Sequence, residues 1–306
     1  MFESLLGNEP IKAYLRKAAA QNRLPHALLF AGIDGIGKSL FAKTLAATLL
    51  HTTDHRIGHH PDFHSLVPEG KSGLHAIETL RTLIDDVHAA PFEAPAKVFL
   101  IQDADRMQPA AANALLKTLE EPNPDTTFIL LTSAPTDILP TILSRCIRLT
   151  FQPLAEQDIA ALLRQQGHPE KFARLAQGSI GRALDHATRP SLEEPLFRLF
   201  YERPSYPELS IALEKIEELS EDEDPVRQNR NVDSLLSAIF MWCRDQHARS
   251  SGLGESHLFF PDQPPASSPV PSLETLSKAL AEARLALSRN MKFSVCLMRI
   301  FDCLRQ

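Results

Sequence analysis

Uninterrupted apolar runs alternate with stretches of helical spacing over the first half of this chain. His26-Ala27-Leu28-Leu29-Phe30-Ala31, Lys97-Val98-Phe99-Leu100-Ile101 and Phe128-Ile129-Leu130-Leu131 read as strands buried on both faces. Ile147-Arg148-Leu149-Thr150-Phe151 alternates as a strand does. Between them, Pro10 to Ala20, Ser39 to Ala46, Leu74 to Val87 and Ala110 to Leu119 carry apolar residues at helical spacing. Continuous apolar strands separated by helices predict an α/β domain with a parallel sheet covered on both faces. Ligands of such sheets sit at the carboxyl ends of the strands.

Past Pro153 the strand patterns stop. Ala155 to Gln166 and Pro169 to Gln177 read as short helices, and Gly178-Ser179-Ile180-Gly181-Arg182 opens another. From about Ser191 the pattern is helical with interruptions. Val232 to Arg244 is apolar nearly all round, as in a helix buried in a bundle or an interface. Residues 217–224 are acidic, which fits a solvated helix end and loop. Residues 250–271 hold five Pro and several Ser, which predicts a surface loop or a disordered insert. The expected division is an α/β domain over 1–152, a small helical domain over 153–190 and a helical domain over 191–306.

Composition narrows the function. A net charge of −6 argues against a chain that grips DNA mainly by itself, because neutralising phosphates takes a basic excess or face. No run is long and apolar enough to cross a membrane, and Met1-Phe2-Glu3-Ser4 carries no targeting pattern. Cys146, Cys243, Cys296 and Cys303 lack metal-ligand spacing, so reduced thiols and a cytoplasmic protein are expected.

The first strand leads into Gly32-Ile33-Asp34-Gly35-Ile36-Gly37-Lys38-Ser39, a complete P-loop pattern. Gly32, Gly35 and Gly37 let backbone N–H groups turn inward around a polyphosphate. Lys38 adds a charge at the outer phosphates, and the Ser39 hydroxyl can ligate Mg²⁺. The following helix begins at an anion-favouring N-terminus. ATP with Mg²⁺ is the expected cofactor. A P-loop ATPase places an Asp after a second buried strand to hold Mg²⁺, often with a Glu that polarises water. Here Gln102 stands first and Asp103 second. Gln is a poor Mg²⁺ partner and Asp is one carbon short, so slow hydrolysis is expected even if nucleotide binds. Glu120 and Glu121 close the next helix, where negative charge opposes the helix dipole. An outside partner or tolerated surface charge would account for them.

Asn113-Ala114-Leu115-Leu116-Lys117-Thr118-Leu119-Glu120-Glu121-Pro122 and Ile142-Leu143-Ser144-Arg145-Cys146 together resemble the clamp-loader branch of the AAA+ ATPases. Leu6-Gly7-Asn8-Glu9 and Pro25-His26-Ala27-Leu28-Leu29-Phe30 fit its N-terminal motifs. The likeness is strong from Phe2 to about Leu184 and weak beyond. It implies a RecA-like nucleotide domain, a helical lid and a helical collar. It also implies a hetero-oligomeric ring with tau/gamma and delta subunits, which sets a sliding clamp on primed DNA within a replicative polymerase holoenzyme, with no polymerase site in this chain. By the same likeness, Arg145 is an arginine finger reaching into a neighbour's ATP site, and Thr132 and Ser133 stand where the outer phosphate is sensed. Gly181 occupies the position of the lid's sensor arginine, with Arg182 beside it. Many relatives carry a four-cysteine zinc module after the P-loop helix. Here His51, His55, His59, His60 and His64 occupy the region, Gly58 and Pro61 break its helical spacing, and no metal site is expected. The alternative reading is a self-sufficient AAA+ motor, like tau/gamma or a helicase loader.

Overall fold

The computed structural model describes residues 1–68, 74–188, 193–202, 204–222, 225–266 and 270–305. In chain order the first unit holds α1 (Glu9–Ala20), β1 (Ala27–Ala31), α2 (Lys38–Leu49), β2 (Phe63–Leu66), α3 (Ile77–Val87) and β3 (Lys97–Ile101). It continues with α4 (Pro109–Glu120), β4 (Thr126–Thr132), α5 (Pro140–Leu143), β5 (Ile147–Thr150), α6 (Glu156–Gln165), α7 (Phe172–Leu175) and α8 (Ile180–Thr188). The second unit is helical: α9 (Glu193–Glu202), α10 (Tyr206–Ser220), α11 (Pro225–Ser250), α12 (Leu273–Ser288) and α13 (Phe293–Arg305). The chain divides into compact units at Met1–Arg189 and Pro190–Gln306.

The five strands form one parallel sheet in the order β2-β3-β4-β1-β5. Strand β1 is interior, paired with β4 on one side and edge strand β5 on the other, so the loop after β1 leaves the sheet's carboxyl edge between those two strands. Alternation along each strand divides the core. Leu28, Phe30, Leu100, Ile129 and Leu131 face Leu15 of α1 and Phe41 and Leu45 of α2. Leu29, Phe99, Phe128 and Leu130 face Leu80 of α3 and Leu115 and Leu119 of α4. Burial on both faces explains why these strands read as unbroken apolar runs.

Two differences from the sequence reading have local causes. Strand β2 was not expected; it lies at the sheet edge, is only half-buried and carries polar His64 and Ser65, so no apolar run marks it. The helix expected from Leu74 begins at Ile77, because His75 is drawn into a parallel bridge with Met107.

Residues 156–188 pack around their own small core of Leu154, Ile159, Leu163, Ala173, Ala176 and Ala183. In the second unit, α11 runs for 26 residues, and its Leu235, Leu236, Ile239 and Trp242 are buried against α10, α12 and α13. The proline-rich segment is tied to that helix. Buried Asp245 accepts from Phe260 N at 2.7 Å, Gln246 accepts from Ala266 N at 2.7 Å, and Arg249 donates to Gln263 O at 2.7 Å. Residues 267–269 of the segment and 223–224 of the acidic run lie outside the described residues.

Candidate functional site: the P-loop and its surroundings

The P-loop leaves β1 at the sheet's carboxyl edge, where Gly32 N–H donates to Thr132 O at 3.1 Å. Gly35 and Gly37 adopt positive φ, 73° and 103°, a left-handed backbone that glycine enters without strain. Gly37 caps α2, so Lys38 and Ser39 occupy that helix's first turn. Such a terminus is built to receive an anion. Lys38, 7% exposed, turns back over the loop and donates to Gly32 O at 2.5 Å and Ile33 O at 2.9 Å, with Asp34 at 3.8 Å. Burial holds its ammonium below the usual lysine range, against the opposing pull of Asp34, Asp103 and Asp105.

The lid closes one side of this loop. Ser179, fully buried, caps α8 by accepting from Arg182 N–H at 3.2 Å, and its hydroxyl donates to Asp34 O at 2.7 Å. Gly181 N–H donates to Gly35 O at 2.9 Å. A Cβ on Gly181 would stand 2.8 Å from Gly35 Cα. Glycine at 181, where the resemblance expects a sensor arginine, is what lets the lid backbone lie directly on the P-loop backbone. Arg182 follows one residue on.

After β3 the backbone turns sharply. Gln102 N–H pairs with Leu66 O at 2.9 Å, continuing the β2–β3 ladder. Asp103 then takes a left-handed conformation, φ 46° and ψ 53°, and caps a 3-10 turn over Ala104–Arg106. Its carboxyl is raised by burial and by the nearby Asp34 and Asp105, with Arg106 and Lys38 pulling the other way. The structure thus brings Lys38, Asp34, Asp103 and Asp105 into one electrostatic neighbourhood. Thr132, at the end of β4, is already engaged: its hydroxyl donates to Asp105 at 2.5 Å and accepts from Ala134 N–H at 3.0 Å.

One residue of this site escaped the sequence reading. His75 is fully buried, and its Nε2 lies 2.7 Å from Gln102 O and 3.2 Å from Asp103 O. Both partners are carbonyls, so Nε2 carries the proton. Buried Nδ1 has no hydrogen-bond partner among the described residues. Burial holds the imidazole below the usual histidine range, and the ring clips the two residues that follow β3. A lone His ahead of a helical pattern was the only available signal.

Arg145 lies away from its own P-loop, in the turn between α5 and β5. Nη1 donates to Thr141 O at 2.9 Å and Ser144 Oγ at 3.1 Å, and Nη2 pairs with the Glu120 carboxylate. The histidines of the 51–64 region make separate contacts: His60 accepts from Asp62 N–H at 3.1 Å, and His64 stacks on Phe99 at 4.7 Å. Among the described residues no His, Cys, Asp or Glu group has the arrangement of a metal site.

Residues 7–155 match the sequence pattern of the family described as "DNA polymerase III, delta subunit". The chain is 36% identical over 174 residues to DNA polymerase III subunit delta' of Bacillus subtilis (strain 168), covering 53% of this chain and 52% of that protein. It is 33% identical over 206 residues to subunit tau/gamma of Haemophilus influenzae, covering 60% of this chain and 30% of that one. The chain therefore spans about half, or less, of these relatives. A gamma subunit-related protein from Thermotoga maritima shares the fold, with a TM-score of 0.50 and 17% identity, over 95% of this chain and 98% of that one. Over a little more than half of its length, this chain is similar in sequence to the delta' and tau/gamma subunits of bacterial DNA polymerase III.

Proposed function

We propose that this chain is a clamp-loader subunit of a bacterial replicative polymerase, in which Arg145 serves ATP held by a neighbouring subunit. The observation that carries the reading is the separation of two features. The complete P-loop is followed by Gln102 where the Mg²⁺ carboxylate belongs, while Arg145 stands well apart, at the turn before β5. The first suits a chain that hydrolyses little by itself. The second suits a cation offered outward, where it stabilises charge developing on a transferring phosphoryl group.

The P-loop fits a nucleotide in part. Gly35, Gly37 and the first turn of α2 could cradle phosphates, and Ser39 could reach Mg²⁺. Bound ATP would supply polyphosphate charge to this cradle. Lys38 would have to leave its two carbonyl partners to meet it, and Asp103 rather than Gln102 would supply the carboxylate. On this reading residues 1–152 are the nucleotide domain, 153–190 the lid, and 191–306 the collar that joins tau/gamma and delta subunits. The sliding clamp and primed DNA are met through the assembled ring, in the cytoplasm.

Reconstituted loader with Arg145→Ala tests the assignment. A trans arginine is worth ~10³–10⁵ in rate where it acts fully, so clamp-stimulated ATP turnover should collapse while assembly persists. Unchanged turnover would sink it. The intact P-loop favours a second reading, a self-sufficient motor. That reading requires the isolated chain to hydrolyse ATP, and Lys38→Ala to abolish the activity.

A further inference from the structure

Arg145 has two kinds of anchor. Thr141 O and Ser144 Oγ belong to its own short segment, a single helical turn at Pro140–Leu143. Glu120 is different: it is 25 residues away, at the end of α4. That helix is fixed by Leu115 and Leu119, both fully packed under the sheet. The short segment is itself packed on this core through Ile138, Ile142 and Cys146, but Thr141 O and Ser144 Oγ hold only Nη1 of the guanidinium. The Glu120 carboxylate holds Nη2, so the flexible end of a long side chain is fixed on both sides, the second time by α4.

Glu120 also sits where a helix least favours it. A carboxylate in the last turn opposes the macrodipole, and the pair is half exposed, so fold stability gains little from it. Orientation is what the pair supplies. Of the five N–H donors on a guanidinium, the contacts to Thr141, Ser144 and Glu120 use three and fix its plane, so the Nε–H and one Nη2–H stand outside these contacts.

We propose that Glu120 is a positioning residue for Arg145, holding the guanidinium in the orientation in which it meets a neighbour's phosphates. The proposal rests on the reading of Arg145 as a residue that acts in trans.

The test uses the reconstituted loader carrying Glu120→Ala, Glu120→Gln, Arg145→Ala or Glu120→Ala with Arg145→Ala, each checked for an unchanged melting profile and full assembly. Glu120→Ala should lower kcat about two- to fivefold, the scale of one exposed charge pair, with KM for ATP unchanged. Glu120→Gln should recover most of that loss, because its amide oxygen accepts from the same N–H. In the Arg145→Ala background, Glu120→Ala should change nothing further. If Arg145→Ala cripples turnover while Glu120→Ala matches wild type, the positioning role is overturned and the arginine's role survives. An equal loss from Glu120→Ala in both backgrounds makes Glu120 merely structural and also overturns the proposal. If Arg145→Ala itself has no effect, the reading beneath the proposal fails.

Discussion

Replacing Gly181 by Ala asks whether the lid is bound to the P-loop by direct backbone contact. The new Cβ would lie 2.8 Å from Gly35 Cα, 3.4 Å from its O and 3.6 Å from its C. No flexible side chain is there to turn aside, so the chain has two ways to respond. It can separate the segments, giving up the Gly181–Gly35 and Ser179–Asp34 hydrogen bonds, each worth about 0.5–1.5 kcal/mol net. Or it can absorb the overlap, at about 1–3 kcal/mol for overpacking. The routes are alternatives, so their costs are not summed. Alanine returns at most ~1 kcal/mol through its higher helix propensity in α8. A net loss of about 1–2 kcal/mol in the first unit follows. Urea unfolding of the full chain would read it, with Gly58→Ala as control, since a Cβ there meets nothing within 4 Å. Hydrogen exchange at the amide of residue 181, whose N–H makes the contact with Gly35 O, should quicken as well. A Gly181→Ala protein as stable as the control, with unchanged exchange, would refute the contact.

Three further expectations follow from buried groups. His75 is held below its usual range by burial, so the unfolded chain binds protons more readily than the folded one, and stability falls as pH drops below about 6.5. His75→Leu should be about 1–3 kcal/mol less stable at pH 7, where the Gln102 and Asp103 carbonyls lose their donor. Its deficit should narrow toward pH 5; a constant deficit in denaturant titrations would contradict the assignment. Burial pushes the Asp62 carboxyl up, but N–H donors of Phe92, Glu93 and Ala94, at 2.5, 2.9 and 2.9 Å, outweigh it and leave it below its usual value. Asp62→Asn should cost about 2–4 kcal/mol at neutral pH, given ~1.5–3 for each charge-assisted bond. Wild type's advantage should be complete above about pH 4 and disappear as pH falls through the lower folded value, read by thermal melts across that range. Burial pushes the thiols of Cys146 and Cys243 up to about 11 and about 12. Iodoacetamide at pH 8 should leave both unmodified by mass spectrometry until urea unfolds the chain; rapid labelling would contradict their burial.

What was legible in the sequence divides along physical lines. Strands β1, β3 and β4 announce themselves because a strand buried on both faces must be apolar at every position. The P-loop is legible because its glycines and Lys38 are fixed by backbone geometry and charge. Edge strand β2 is not, since pairing on one side lets His64 and Ser65 remain. His75 was missed because its role depends on carbonyls at 102 and 103, and no local pattern records a clip between distant segments. The carboxylates closing α4 were visible as an anomaly, but the partner of Glu120 is Arg145, and only the fold brings the two together. The proline-rich stretch looked like a free loop because composition does not reveal that Asp245, Gln246 and Arg249 of the neighbouring helix hold its backbone.

Lys38 satisfies its ammonium on the carbonyls of its own loop. The loop is therefore self-complementary, and its shape does not depend on a polyphosphate to neutralise a stranded charge. Any nucleotide becomes a competitor for a lysine already committed. If the lysine were released for about one part in a hundred of the time, apparent affinity would fall about a hundredfold below the intrinsic value. A loop built this way keeps its shape while Lys38 is at home, so the nucleotide level around it acts only weakly on its fold.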